Sequence, residues 1–265
     1  MEYEILNNGI KIPRIGFGVY QVSSNIAERC VIDALSSGYR HIDTARNYDN
    51  EREVGNAIKK CGITREEIFL TTKIYGAYSY REACGYIDEA LNKLQTDYID
   101  LLLFHWPSGN IVETYRAMED YYKAGKLKAI GLSNFYGKDF KKIISNCEIT
   151  PMVNQVEAHV FMQQKHFKEE MDKYNIRLEA WSPLACGKNN IFNNKILKII
   201  ADNHNKSVAQ VALRFLYQKD ILIIPKTVNI QRMKENLDIL DFELSHNEVK
   251  EIEKLDTEKS LFGWY

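Results

Sequence analysis

A short apolar run followed by a polar, helix-like segment recurs eight times along this chain of 265 residues. Several of the runs are rich in Ile, Leu and Val without strict alternation, which is typical of strands that are buried on both faces. Eight strands that alternate with helices predict a parallel sheet, and eight such units can close into a (β/α)8 TIM barrel. The runs cover residues 14–18, 39–43, 68–73, 98–105, 129–133, 152–157, 177–182 and 221–226.

Amphipathic segments between the runs support this arrangement. They lie at 27–37, 51–60, 80–94, 112–124 and 208–217. The segment 3–12 contains Asn8-Gly9 in its middle and predicts an N-terminal β-hairpin outside the repeat. Because no linker or change in composition divides the chain, we expect residues 1–265 to form a single barrel domain.

A doubly wound sheet is the alternative arrangement of the same units. Its dinucleotide-binding signal would be GxGxxG between the first strand and the first helix. Gly16-Phe17-Gly18 lacks the third glycine, so the sequence favours the barrel.

The charge balance and the cysteines limit the class of protein. The 35 Lys and Arg residues are interspersed with 36 Asp and Glu residues, which argues against a nucleic-acid partner. No stretch approaches the about 18 apolar residues that cross a bilayer, and the first residues do not resemble a secretory signal. The five cysteines are scattered without a CxxC pair, which predicts reduced thiols. We therefore expect a cytoplasmic protein without membrane or nucleic-acid partners, and we take a monomer as the default.

Polar side chains end the predicted strands with unusual regularity, and functional groups in a barrel gather at these C-terminal ends. Each has a structural alternative when taken alone, such as a helix cap for Asp43, a solvated strand end for Lys73 or a structural histidine for His105. Their joint occurrence on successive strands favours a common site. The strand-end residues are Asp43, Lys73, His105, Ser133, Asn134, Gln155, Ser182 and Lys226.

Tyr48 lies in the loop after the second predicted strand, five residues beyond Asp43. A free phenol has a pKa of about 10 and donates a proton poorly near neutrality, but an adjacent ammonium lowers that pKa. Lys73 can supply the ammonium, and Asp43 can supply its counter-charge. His105 can then hydrogen-bond a carbonyl oxygen. These four residues predict a site for carbonyl reduction in which Tyr48 is the general acid.

Six short motifs in order resemble those of the aldo-keto reductases, and the resemblance runs from Asn8 to about Leu255. They are HIDTARNYDNE at 41–51, TTK at 71–73, HWP at 105–107, GLSNF at 131–135, NQVE at 154–157 and IPKT at 224–227. The resemblance implies a (β/α)8 barrel that binds NADPH in extended form without a Rossmann domain. It also implies that Tyr48 is the general acid, that Lys73 and Asp43 tune it, and that His105 orients the carbonyl group.

The same resemblance implies where the cofactor lies. Trp181 matches the aromatic residue that stacks on the nicotinamide, although a core aromatic is the alternative. NADPH differs from NADH by a 2′-phosphate, and Lys226, Thr227 and Arg232 match the positions that hold it, so we expect NADPH rather than NADH. Ordinary surface charges are the alternative for Lys226 and Arg232. The implied cofactor-binding residues are Val19, Tyr20, Asp43, Ser133, Asn134, Gln155, Trp181, Ser182, Leu184, Lys226, Thr227, Val228, Arg232, Glu235 and Asn236.

An aromatic wall is the expected boundary of the substrate pocket. The loop 107–111 and the tail after Asp256 are short, which predicts an open pocket for a small-molecule carbonyl. The stretch 184–188 departs from the GRGK that is common in shorter relatives. Small aldehydes, dicarbonyls, keto-sugars and larger ketones all remain possible substrates. The expected pocket residues are Tyr20, Tyr48, Tyr75, His105, Trp106 and Trp264.

Two other functions compete with carbonyl reduction. A metal-dependent barrel hydrolase is suggested by His41-Ile-Asp43, but no further ligand cluster ends the later strands, and Lys73 would oppose a cation, so we expect no metal. A non-catalytic NADPH-binding subunit is the second alternative, because a fold can outlast its activity. All four predicted catalytic residues are present, which favours the enzyme.

Overall fold

The computed structural model describes residues 2–264 and contains a parallel sheet of eight strands, ordered β10-β9-β8-β7-β6-β5-β4-β3. The two edge strands meet through a parallel bridge between Ile15 and Ile223, where the Gly16 N–H donates to the Ile223 carbonyl over 2.8 Å. This contact closes the sheet into the predicted (β/α)8 barrel. The strands are β3 (Phe17–Gly18), β4 (His41–Asp43), β5 (Phe69–Ile74), β6 (Ile99–Phe104), β7 (Leu127–Ser133), β8 (Val153–Glu157), β9 (Arg177–Trp181) and β10 (Leu222–Ile223).

The predicted N-terminal hairpin is confirmed. Strands β1 (Tyr3–Ile5) and β2 (Lys11–Pro13) pair in antiparallel fashion. Gly9 lies in their connection with a φ of 86°, a backbone conformation that glycine adopts without steric cost.

The helices surround the sheet, and their starts follow ordinary capping chemistry. Helix α8 begins after Ser207, whose hydroxyl accepts from the Gln210 N–H while the Gln210 side chain accepts from the Ser207 N–H. Ser245 and Glu248 form the same capping box at α10. The helices are α1 (Ser24–Ser36), α2 (Glu51–Lys60), α3 (Tyr80–Leu94), α4 (Ile111–Lys123), α5 (Gly137–Asn146), α6 (Lys165–Asp172), α7 (Lys195–His204), α8 (Val208–Gln218), α9 (Ile230–Leu237) and α10 (His246–Glu253).

The first and last barrel strands are shorter than predicted. The run 14–18 yields regular pairing only over Phe17–Gly18, and the run 221–226 yields it only over Leu222–Ile223. Pro225 has no N–H to donate to a ladder, so regular pairing ends before it. Its carbonyl still accepts from the Gly18 N–H at 3.2 Å, which keeps the closing strands together.

Strand register brings the site residues to one end of the barrel. Asp43 pairs with Thr71 across β4 and β5, and Lys73 follows two residues later on the same face of β5. On the other side of the barrel, Gln155 pairs with Ser133 on β7 and with Glu179 on β9. Within residues 2–264, no helix is long and apolar enough to cross a membrane.

Candidate active site

The Lys73 side chain lies at the centre of a buried polar cluster and is fully buried. Its Nζ donates to Asp43 Oδ1 at 2.6 Å, to the Thr44 carbonyl at 3.0 Å and to the Tyr48 hydroxyl at 3.2 Å. Burial disfavours the ammonium form, but the Asp43 carboxylate and the Tyr48 hydroxyl outweigh it and raise the pKa of Lys73. Lys73 is therefore charged, and all three of its hydrogens have an acceptor.

The contact between Lys73 and Tyr48 sets the direction of the Tyr48 hydroxyl. An ammonium group carries no lone pair, so the Tyr48 oxygen must accept this hydrogen bond. The hydrogen of the hydroxyl group is consequently left to donate to another acceptor. Tyr48 lines the large cavity at this end of the barrel, so a ligand in the cavity can provide that acceptor.

The pKa of Tyr48 differs from the sequence-based expectation. Burial raises it to about 12, and the Lys73 ammonium offsets only part of this rise. Lys73 does lower the pKa of this phenol, as expected, but burial outweighs it, because sequence does not reveal how deeply the hydroxyl is buried. The raised pKa keeps the phenol protonated at neutral pH, while the bond from Lys73 stabilises negative charge that develops on its oxygen.

His105 follows β6 and is a neutral imidazole at neutral pH. Burial, aided by the Lys73 charge, lowers its pKa well below the ordinary value. Its ring lies 5.9 Å from the Tyr48 ring and 5.2 Å from the Tyr75 ring, measured between centroids. A neutral imidazole beside a phenol can donate a hydrogen bond to the same carbonyl oxygen as the phenol.

Gln155 connects Asp43 to a second carboxyl group. Its Nε2 donates to Asp43 Oδ2 at 2.8 Å and to Glu179 Oε1 at 3.1 Å. Both amide hydrogens are thereby used, and the amide oxygen is the remaining polar atom of a side chain that lines the cavity. Burial, followed by the Asp43 charge, raises the pKa of Glu179 to about 8.

The aromatic residues expected in a substrate pocket do line this end of the cavity. The Tyr20 and Tyr48 rings lie 5.0 Å apart, and Asn47 Nδ2 donates to the Tyr75 hydroxyl at 3.0 Å. The Trp106 and Trp264 rings lie 6.3 Å apart. The structure therefore brings together every residue predicted for the pocket, with tyrosine hydroxyls that make the wall partly polar.

The cavity has a volume of about 1150 Å³ and runs from this aromatic end to a cationic end. Lys226 and Arg232 line the second end and are exposed, whereas Thr227 and Asn236 beside them are nearly buried. A cavity with polar groups at one end and cations at the other suits an extended anionic ligand. The predicted cofactor residues that line it are Tyr20, Asp43, Ser133, Asn134, Gln155, Trp181, Ser182, Leu184, Lys226, Thr227, Arg232, Glu235 and Asn236.

Two predicted cofactor residues do not line the cavity. The Val19 side chain is fully buried, its N–H donates to the Asp43 carbonyl, and its own carbonyl accepts from Asn50. Val228 is exposed beside Thr227 but lies outside the cavity wall. Both predictions followed the family resemblance, and the sequence does not show that the backbone groups of Val19 already have partners.

Trp181 is held in place by neighbours on both sides. Its Nε1 donates to Asn134 Oδ1 at 2.8 Å, and the Trp264 ring stacks on it with centroids 5.3 Å apart. Lys188 Nζ donates to the Leu261 carbonyl at 2.9 Å and lies over the Phe262 ring. The unusual stretch 184–188 thus contacts the C-terminal tail, which covers part of Trp181.

Several residues of the site were missed by sequence reasoning. Glu179 carried a usable signal, because a charged residue in the middle of a buried strand needs a partner. Phe262 and Lys188 gave no comparable signal, since their position depends on how the tail folds back. The unpredicted residues of the cavity wall are Gly18, Gln21, Asn47, Pro183, Cys186, Gly187, Lys188, Phe192, Ser207, Val208, Ala209, Ile224, Pro225 and Phe262.

The structure also bears on the metal-site alternative. His41 Nε2 lies 2.9 Å from Thr71 Oγ1, while Asp43 is engaged by the Lys73 ammonium, so the two residues of the HxD pair do not share a ligand position. Across residues 2–264, no group of three or more His, Cys, Asp or Glu side chains is arranged to hold a metal ion.

A tyrosine, a lysine, an aspartate and a histidine meet at one end of this (β/α)8 barrel, as the resemblance to the aldo-keto reductases implies. Comparisons with known proteins agree. The aldo/keto reductase family model matches residues 14–257. This chain belongs to the aldo/keto reductase family, and it is an oxidoreductase whose relatives reduce carbonyl groups.

Two curated relatives and one solved structure illustrate the similarity. The chain is 43% identical to the glyoxal reductase of Bacillus subtilis, over 97% of this chain and 93% of that protein. It is 39% identical to the methylglyoxal reductase DkgA of Escherichia coli K12, over 97% of this chain and 94% of that protein. A crystal structure of an aldo-keto reductase enzyme from a deep-sea metagenome library matches with a TM-score of 0.95 and 42% identity, covering 98% of this chain and 97% of that one.

Proposed function

We propose that this protein is an NADPH-dependent reductase of small aldehydes, including dicarbonyls, in which Tyr48 is the general acid. The observation that carries the proposal is the hydrogen bond from Lys73 to the Tyr48 oxygen. Because Lys73 can only donate, the hydroxyl hydrogen of Tyr48 is free for a substrate oxygen. The two relatives compared above are reductases of glyoxal and methylglyoxal, which supports this substrate class.

The donor and acceptor groups of the cavity fit a nicotinamide cofactor. At the buried end, the Ser133 hydroxyl and the Gln155 amide oxygen match the hydrogen-bonding needs of a carboxamide, and Trp181 offers a flat aromatic surface. At the other end, Lys226 and Arg232 supply the positive charge that a 2′-phosphate requires. When bound, NADPH would supply the hydride for the carbonyl carbon.

The chain's own residues then perform the acid half of the reaction. Tyr48 and His105 hydrogen-bond the carbonyl oxygen and orient the substrate. As negative charge develops on that oxygen, the Tyr48 proton moves to it, and the Lys73 ammonium stabilises the resulting phenolate. Asp43 keeps Lys73 charged and in position. The aromatic wall excludes water from the reacting atoms.

Replacement of Tyr48 by phenylalanine tests the acid. We expect Tyr48→Phe to lower kcat by about 10²-fold or more, since a positioned general acid contributes on this scale. NADPH affinity should stay nearly unchanged, because the phenol ring remains. The measurement is NADPH oxidation with glyoxal, methylglyoxal and a panel of larger carbonyls.

A matched control is Tyr39→Phe. Tyr39 is also buried, but its hydroxyl donates to the Met233 carbonyl at 3.1 Å, away from the cavity. This variant should lose some stability and keep its kcat. Substantial reductase activity in Tyr48→Phe would show that another group is the acid, and absence of turnover with every carbonyl in the wild type would favour a non-catalytic nucleotide-binding protein.

A further inference from the structure

Glu179 is the carboxyl group that the proposed reaction does not use. It lies in the middle of β9, points into the barrel beside Gln155, and is fully buried. Its Oε1 accepts from Gln155 Nε2 at 3.1 Å, and among residues 2–264 its Oε2 has no hydrogen-bond partner. A buried carboxylate without a cation is strongly disfavoured, so Glu179 needs an explanation.

The cluster contains two carboxyl groups and one ammonium. Asp43 has the Lys73 ammonium at 2.6 Å, whereas Glu179 has only the neutral Gln155 amide. One amide side chain therefore bridges both acids, through Nε2 to Asp43 Oδ2 and to Glu179 Oε1. When two buried carboxyls share such a site, one remains protonated. The geometry assigns the negative charge to Asp43 and the proton to Glu179.

The surroundings of Glu179 contain few other charges. Asp43 on β4 and Lys73 on β5 are the titratable groups that act on it. Strand β8 contributes the neutral Gln155, and β10 contributes Leu222 at the paired position. Helix α6 also contacts β9, but none of its charged side chains acts on Glu179. Burial and the Asp43 charge place the pKa of Glu179 at about 8, within reach of alkaline solution.

We propose that Glu179 is a positioning residue that keeps its proton at neutral pH, releases it to solvent in mildly alkaline solution, and thereby selects between the two oxidation states of the nicotinamide cofactor. This inference rests on the proposed function, because it assumes that the nicotinamide ring binds beside Gln155. The oxidised ring carries a positive charge and the reduced ring carries none. A charged Glu179 therefore favours NADP⁺, and a protonated Glu179 leaves NADPH binding undisturbed.

The test is a pair of dissociation constants, for NADP⁺ and for NADPH, measured from pH 6.5 to 9.5 by quenching of tryptophan fluorescence. In the wild type we expect the preference for NADP⁺ over NADPH to increase by about fivefold or more across this range, as expected for one added charge in a low-dielectric site. In Glu179→Gln, the ratio of the two dissociation constants should be the same at every pH as it is at neutral pH. Glu179→Leu should weaken both nucleotides at every pH, because Gln155 loses an acceptor that orients it.

Glu119→Gln is the matched control. Glu119 is also a buried carboxyl, but it lies on α4 and accepts from the backbone N–H groups of Glu148 and Ile149 at 2.7 and 2.8 Å. Its replacement should leave the pH dependence of the nucleotide ratio as in the wild type. The same pH dependence in Glu179→Gln as in the wild type, or no pH dependence in the wild type, would overturn the inference.

A second readout requires no nucleotide. The folded-state pKa of Glu179, about 8, lies above its ordinary value of 4.5, so between these values the folded protein holds a proton that the unfolded chain has lost. The wild type should therefore lose stability relative to Glu179→Gln as pH rises towards 8. The gap between the urea midpoints of the two proteins should change accordingly, with the wild-type midpoint falling relative to that of the variant. A constant gap would overturn the protonation assigned to Glu179. If neither nucleotide binds the wild type, the proposed function fails, and the urea series still reports the Glu179 proton.

Discussion

The two ends of the cavity are built differently. At the reaction end, Asp43, Lys73 and Gln155 are almost fully buried and hydrogen-bond one another before any ligand arrives. At the cationic end, Lys226 and Arg232 are exposed, and neither side chain makes a hydrogen bond or ion pair within residues 2–264. The comparison indicates that the protein preorganises the groups that we propose act on a carbonyl, and leaves the cations that we propose bind the 2′-phosphate free to adapt.

The largest effect should come from breaking the buried end. We expect Lys73→Met to reduce kcat by about 10²-fold or more and to destabilise the fold by about 3–5 kcal/mol, because it leaves the Asp43 carboxylate buried without its counter-charge. Chemical unfolding and steady-state kinetics measure the two effects. Adding Asp43→Asn should recover part of the stability and none of the rate.

An exposed ion pair provides the control for Lys73. Lys219 pairs with Glu253 at the surface, and both side chains are more than a third exposed. Lys219→Met should cost less than about 1 kcal/mol and leave kcat unchanged. If the two lysine variants lost similar stability, the contrast between the two kinds of environment would not hold.

A smaller effect is expected at the cationic end. Lys226→Met and Arg232→Met should each weaken NADPH binding by about tenfold, since each would remove one of the charge-assisted contacts that we propose for the 2′-phosphate. NADH binding and the free energy of unfolding should change little. Lys234→Met is the matched control for Arg232→Met, because Lys234 is an exposed cation on α9, the helix that contains Arg232, and does not line the cavity. Equal loss of NADPH and NADH affinity would mean that these cations do not recognise the 2′-phosphate.

The smallest change concerns pH. Burial holds the pKa of Tyr48 at about 12 and that of His105 far below neutrality, so neither changes its charge between pH 6 and 9. In the Glu179→Gln background, kcat for carbonyl reduction should therefore be flat across this range, measured with saturating NADPH and substrate. A fall as pH rises through 7 to 8 would mean that the acid titrates far below the value that burial imposes.

Sequence periodicity was sufficient for the barrel because several strands are rich in apolar residues and alternate with amphipathic helices. It was less informative for the helices between Gly137 and Asp172, where α5 and α6 are short and bury few residues. The closing strands were predicted too long, since their pairing depends on contacts between chain positions about 200 residues apart. Local patterns do not contain that information.

The polar residues around Lys73 were mostly predicted from the sequence, but their energetics were not. Strand ends and motif order identified Tyr48, Lys73 and His105, whose partners are one or two strands away. The sign of the Tyr48 pKa shift was missed because it depends on depth below the surface. The role of Glu179 depends on its register with Gln155 across β8 and β9, which only the folded sheet defines.

A crystal structure of the protein with NADP⁺ and an unreactive carbonyl compound tests the central claim most directly. The account predicts that the carbonyl oxygen lies within hydrogen-bond distance of both the Tyr48 hydroxyl and His105, while Lys73 still donates to the Tyr48 oxygen. A nucleotide bound elsewhere on the barrel, or a Tyr48 hydroxyl directed away from both the carbonyl and Lys73, would contradict it.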